Sequence, residues 1–251
     1  MSLIIEWRNG YDNLNNANLC LFSLPGVGNI GKAAIDALNS TNEAQEVARL
    51  HHTALPPLAT LDEDGLLSPP HLSVKMIQYS DSDCLITITG TSQPLEPNNQ
   101  GLMAREILDL LKHNQLSELV VLAGMVDDAA RKEIFIVPSS SAYRVDLESR
   151  GANVRRDEPS SGAIGMAALL SSLGPVYGID SACAIATTIG SSGDIIASQN
   201  LLTSIDQWFG LNLVIPKDAN KKLIEKLKEI SPSNRDDLVA ELTQTHDAFY
   251  M

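Results

Sequence analysis

The sequence predicts an α/β protein, a three-layer α/β/α sandwich around a mostly parallel mixed sheet, with a helical segment appended at the C-terminal side. Two observations carry this. A buried apolar run, Leu19 to Leu24, passes through the Gly-rich stretch Pro25-Gly26-Val27-Gly28-Asn29-Ile30-Gly31-Lys32 into a helix-like segment. Strand-like and helix-like segments then alternate over about 200 residues, the pattern of a layered α/β fold.

Element by element, helical spacing of Ile30, Ala33, Ala34, Ala37 and Leu38 predicts a helix to Asn39, and Val47 to His52 reads as the next strand. Pro56, Pro57, the acidic turn Asp62-Glu63-Asp64-Gly65 and Pro69-Pro70 then break the chain into a loop or hairpin. Leu72 to Tyr79 and Cys84 to Thr89 flank the polar turn Ser80-Asp81-Ser82-Asp83, which predicts an antiparallel hairpin. Gln100 to His113 sets Leu102, Met103, Ile107, Leu110 and Leu111 on one helical stripe, and Leu119 to Leu122 is the buried strand after it.

Phe135 to Val137 predicts a short strand, Ser140 to Arg150 a helix stopped by Gly151, and Gly162 to Leu173 a helix stopped by Gly174. Ala182 to Ile189 is an apolar strand. Gly190 to Asp194 leads into a helix from Ile195 to Phe209. The segments Asp218 to Ile230 and Asp236 to Thr245 are amphipathic and separated by Ser231-Pro232-Ser233-Asn234, so residues 1–215 are expected as the core domain and 216–251 as a helical arm.

Composition narrows the function classes. The 251 residues are 44% hydrophobic and 20% charged, ordinary globular usage. A net charge of -13 repels a phosphate backbone, which argues against nucleic acid as partner. The three cysteines Cys20, Cys84 and Cys183 lie far apart in apolar runs with no C-x-x-C, so they read as small buried hydrophobes of a reducing compartment. The start MSLIIEWRNG lacks the layout of a secretory signal and no run is long enough for a membrane span, so a cytoplasmic location is expected.

The stretch Gly26-Val27-Gly28-Asn29-Ile30-Gly31 satisfies G-x-G-x-x-G, the dinucleotide fingerprint, but such a fold also needs an acidic residue about 20 residues on, at the end of the second strand. That strand ends in His51 and His52 instead. A P-loop is excluded because Ala33 stands where a hydroxyl would follow Lys32. The glycines therefore read as a strand-to-helix turn, with or without a residual anion site at the helix start.

Adjacent histidines on a strand point to opposite faces, so His51 and His52 are not expected to share a metal, and neither metal nor cofactor is predicted. Asp127-Asp128 and Asp194 follow strand ends, where α/β folds place ligands. They read as loop charges and helix caps, or as partners of the Gly26, Gly28, Asn29, Gly31, Lys32 turn in an enzyme that binds a nucleotide or small phosphorylated ligand. No Ser-His constellation completes an active site.

Several stretches taken in order resemble the proteasome assembly chaperone family of the archaeal and bacterial type. They are SLPGVGNIGKAA at Ser23 to Ala34, ARLHHTALPPLATLDEDG at Ala48 to Gly65, TGTSQPLEP at Thr89 to Pro97, VVLAGM at Val120 to Met125 and SSGAIGMAALL at Ser160 to Leu170. The resemblance implies a phosphorylase/hydrolase-like sandwich, a non-enzymatic homo-oligomer, and the core proteasome as partner. Some members carry a C-terminal hydrophobic-Tyr-any tripeptide that docks between proteasome α-subunits, and Phe249, Tyr250 and Met251 match it. In such a tail the carboxylate can pair with a lysine in the partner pocket while the aromatic rings anchor the exit.

Overall fold

The computed structural model describes residues 3–215, apart from 15, 16, 62, 63, 81, 82, 129, 161, 191 and 192. The expected arm 216–251, its two helices and the Phe249-Tyr250-Met251 tail lie outside the described residues.

Among the described residues ten strands and five α-helices follow one another in the order β1 (Leu3–Trp7), β2 (Ala17–Ser23), α1 (Ile30–Thr41), β3 (Gln45–His52), β4 (Thr60–Leu61), β5 (Leu67–Ser68), β6 (Leu72–Gln78), β7 (Cys84–Gly90), α2 (Pro97–His113), β8 (Glu118–Val126), β9 (Ile134–Pro138), α3 (Ser141–Ser149), α4 (Gly165–Tyr177), β10 (Asp180–Thr188) and α5 (Ile195–Phe209). Eight strands form one mixed sheet in the order β1-β3-β6-β7-β2-β8-β10-β9, and β4 pairs with β5 in a separate ribbon. The centre β7-β2-β8-β10 is parallel. Antiparallel strands flank it on both sides.

Period-two burial explains the three layers. In β2, Cys20 and Phe22 face the core under α2 and α4, while Leu19 and Leu21 face the core under α1, α3 and α5. In β8 the same split separates Leu119 and Val121 from Val120 and Leu122. Both faces are covered, so these strands read as continuous apolar runs rather than alternating ones.

Two elements differ from the sequence reading. β1 has no counterpart in the sequence reading; it is held as an antiparallel edge on β3, with most of its residues half-buried. Helix α4 begins at Gly165 and runs past Gly174 and Pro175 to Tyr177, and the left-handed cap is Gly178 at φ 77°. Gly174 is there for contact: a Cβ would lie 2.1 Å from Ser181 Oγ on β10 and 2.9 Å from the Ile179 carbonyl oxygen. A glycine that stops a helix and one that lets a helix touch a strand look alike in sequence.

Candidate functional site

At the carboxyl ends of β2 and β8 the chain leaves an open crevice of about 930 Å³, at the end of the sheet where α/β folds bind ligands. Gly26 and Gly31, the end of β8, Asp127, Arg131, Glu158 and the start of α4 line it.

Local chemistry shapes the Gly-rich wall. Val27–Asn29 forms one 3-10 turn, with the Asn29 N–H donating to the Gly26 carbonyl at 2.9 Å. Gly28 has φ 60°, a conformation glycine adopts without steric cost. Asn29 also sits left-handed at φ 52°, which asparagine tolerates, and its Oδ1 is buried with no hydrogen-bond partner among the described residues. At Gly31 a Cβ would fall 2.2 Å from the Leu122 carbonyl oxygen and 2.3 Å from Ser23 Oγ. Ser23 Oγ donates to that same carbonyl at 2.9 Å. The third glycine thus seats α1 directly on the backbone of β8. Gly26, in contrast, has room for a Cβ: the nearest atom, the Leu24 carbonyl oxygen, would lie 3.8 Å away in ordinary contact.

The opposite wall is a charge cluster. The Arg131 guanidinium donates to Asp127 Oδ2 at 2.8 Å, to Glu133 Oε2 at 2.8 Å and to Glu158. Arg155 adds a second donor to Glu133 at 2.8 Å. The hydrogen bond from Arg131 holds the Glu133 carboxyl below its ordinary range, and the acidic partners hold Arg131 firmly protonated. Cys183 lies in the floor, where burial pushes its thiol up to about 12, so it stays a thiol.

Of the residues singled out in the sequence, Gly26, Gly31 and Asp127 line the crevice. Gly28 is buried in the turn behind it, where its carbonyl accepts from Gly193 N at 3.1 Å. Lys32 turns to a smaller cleft of about 330 Å³ and pairs with Asp36. Asp128 closes its own loop by accepting from Ala130 N at 2.9 Å. Asp194 caps α5, with Oδ1 accepting from Ala197 N at 3.0 Å and Oδ2 accepting from Thr188 Oγ1 at 2.8 Å. Asp127 and Asp194 therefore serve separate structures. Phe249, Tyr250 and Met251 lie outside the described residues.

The sequence reading missed Arg131, Glu158 and Ile164. Arg131 stands four residues from Asp127, a spacing that brings opposite charges together in a tight loop, so that pair had a signal. Glu158 had none, since it reaches Arg131 only through the fold. The histidines behave as the strand argument requires: the buried ring of His52 meets Glu106 at 3.2 Å, while His51 meets Glu6 at 3.0 Å on the other side. Among the described residues no group of His, Cys, Asp and Glu side chains is placed to hold a metal ion, and no helix is long and apolar enough to cross a membrane.

Known proteins share this architecture. Pyrococcus furiosus PbaB, described as an archaeal proteasome activator, superposes with a TM-score of 0.76 at 20% identity, covering 91% of this chain and 97% of its own. P. furiosus PbaA, an archaeal homolog of proteasome-assembly chaperone, gives 0.73 at 19% identity over 100% of both chains. A proteasome-assembly chaperone homologue from Mycobacterium tuberculosis gives 0.64 at 15% identity, covering 89% of this chain and 99% of its own. An uncharacterized protein of Methanocaldococcus jannaschii is 21% identical over 221 residues, 86% of this chain and 84% of its own. The sequence profile of the PAC2 family matches residues 21–232, and with that match over most of its length the chain belongs to the PAC2 family.

Proposed function

We propose that this PAC2-family chain is a binding protein of the proteasome system, an assembly chaperone or activator-like cap, rather than an enzyme. The observation that carries the proposal is the fold shared along nearly the whole chain with PbaA and PbaB. Phe249, Tyr250 and Met251, the last residues of the sequence, are the proposed docking element between α-subunits of the core proteasome. A penultimate tyrosine supplies ring area with a hydroxyl handle, Phe249 supplies an apolar anchor, and a free carboxylate on Met251 would pair with a partner lysine. The same reading takes the protein to work as a homo-oligomer in the cytoplasm.

The test is native mass spectrometry of the protein with core proteasome or free α-subunits, comparing the full chain with one lacking Tyr250 and Met251. Binding that disappears on deletion supports tail docking. Binding that survives it moves the contact to the folded domain, and no binding by either chain overturns the proposal.

A further inference from the structure

The smaller cleft, of about 330 Å³, is lined by residues of α1, β3, β6 and β7 and shares none of them with the crevice at β2 and β8. Its floor is a polar patch made by strand alternation. Along β6, Ser73 and Lys75 alternate with Leu72, Val74 and Met76, which face the core on the other side of the sheet. Across the β6–β7 ladder Ser73 stands opposite Thr89 and Lys75 opposite Thr87, and residues paired in this way share a face.

The two threonines of that floor are treated differently. Thr87 is fully buried, and its hydroxyl donates to Asn39 Oδ1 of α1 at 2.8 Å. Thr89, two residues on and on the same face, is 7% exposed and lines the cleft, yet its Oγ1 is buried with no hydrogen-bond partner among the described residues. A buried hydroxyl without a partner is costly, and one that borders a cleft is satisfied by what enters it.

The charges around this hydroxyl do not cancel. Apart from His71, the ionisable side chains among the described lining residues are Lys32, Asp36, Glu46 and Lys75. Lys32 pairs with Asp36. The Glu46 carboxylate is engaged twice, accepting from Ser73 Oγ at 2.8 Å and from Arg49 Nε at 3.0 Å. Lys75 is half-buried and stands directly across the β3–β6 ladder from Glu46, but among the described residues it makes no ion pair or hydrogen bond. A chain of net charge -13 thus keeps an uncompensated ammonium and an uncompensated hydroxyl in one cleft.

An ammonium brings three N–H donors and a positive charge, and a threonine adds an O–H donor, so the complement is an anion with several acceptor oxygens. The volume is at the small end for ligand pockets and suits a small metabolite rather than a peptide. We propose that this cleft binds a small oxyanion, the phosphate or carboxylate group of a low-molecular-weight ligand, held by Lys75 and the Thr89 hydroxyl. Lys32 adds the donors that its pair with Asp36 leaves free.

The test titrates the full chain with inorganic phosphate and, in a second arm, with malonate, while sodium chloride holds the ionic strength constant. Amide shifts in two-dimensional NMR spectra and the melting temperature are the readouts. Saturable shifts centred on Ser73, Lys75, Thr89 and Gly90 are expected. A response to phosphate alone assigns a phosphoryl ligand, to malonate alone a carboxylate, and to both a general oxyanion site. Thr89→Val removes the hydroxyl at nearly constant volume. It should weaken binding about ten-fold, while the free chain melts no lower than wild type because it loses no hydrogen bond. Lys75→Gln should weaken binding by at least as much, and Lys75→Arg should recover most of it. A Thr89→Val chain that melts lower and binds undiminished would make the hydroxyl structural and overturn the proposal. Shifts confined to Asn29, Ile30 and Gly31 would place the anion at the start of α1 instead, and a wild-type chain with no saturable response to either probe overturns the site.

Discussion

The central parallel strands are closed at their amino ends and open at their carboxyl ends. At the amino end, Glu118 at the start of β8 accepts two hydrogen bonds from Arg150, at 2.7 and 3.0 Å, and one from Tyr143 Oη at 3.3 Å. Arg150 also pairs with Asp146 at 2.7 Å and lies 5.2 Å from the centre of the Phe209 ring. The Tyr143 ring is buried, and burial raises its phenol well above the ordinary value, so it stays a neutral donor. At the carboxyl end the Arg131 cluster is also paired, but Asn29 Oδ1 is buried without a partner among the described residues, the groups border a cavity, and Val126, Ile164 and Ile189 are left in water. Paired charge at the amino end joins elements of the domain; at the carboxyl end it leaves an apolar surface available to a partner.

Substitutions can break or sharpen this contrast. The largest effect is expected within the carboxyl end itself, where Gly31→Ala drives a methyl into the backbone of β8 and should cost about 3 kcal/mol in urea unfolding. Gly26→Ala, only five residues away, makes only an ordinary 3.8 Å contact and should change stability by less than about 0.5 kcal/mol, as surface substitutions do. Equal effects at the two glycines would mean that the turn is not held by packing.

Glu118→Gln removes the charge that Arg150 grips and should cost about 2 kcal/mol, the range for hydrogen bonds to charged groups. Hydrogen exchange should then rise at the start of β8 and in α3, and not around the crevice; uniform loss of protection would show that the two ends are not independent. Asp194→Ala deletes the cap of α5 and should cost about 1 kcal/mol, with Asp194→Asn recovering most of it. If Asp194→Ala left stability untouched, the reading of Asp194 as a helix cap would fail.

The last expected effect is a slope with pH. His52 Nδ1 accepts from Ala54 N at 2.9 Å, and burial lowers the pKa of the imidazole despite the attraction of Glu106. The unfolded chain therefore binds this proton more readily than the folded one. Stability from the neutral ring is complete above about pH 6.5 and declines as pH falls below it. His52→Gln should flatten that decline in stability curves measured between about pH 5 and 7.

Most of the layered core was legible in the sequence because local signals and tertiary demand coincide. The apolar runs Leu19 to Leu24 and Ala182 to Ile189 became β2 and β10, and the polar turn at 80–83 joined antiparallel β6 and β7. Helix α5 begins at Ile195, where Asp194 caps it, and ends at Phe209, before Gly210. The end of β3 at His51 and His52, with no acidic residue there, is what makes the sequence reading expect a strand-to-helix turn at the glycines. The family resemblance came from ordered stretches, several of which border the crevice.

Tertiary structure alone decided the rest. Which glycine stops α4 depends on how near Ser181 lies, and no local pattern encodes that distance. The assembly of Asp127, Glu133 and Glu158 around Arg131 spans 32 positions of the chain, and only the fold makes them neighbours. The same holds for the apolar rim, since Val126 at the end of β8, Ile164 between α3 and α4, and Ile189 between β10 and α5 are unremarkable one at a time and come from three separate parts of the chain. Periodicity along a chain reports which face of an element is buried. The end of a sheet collects residues from distant loops, so its chemistry is set by topology.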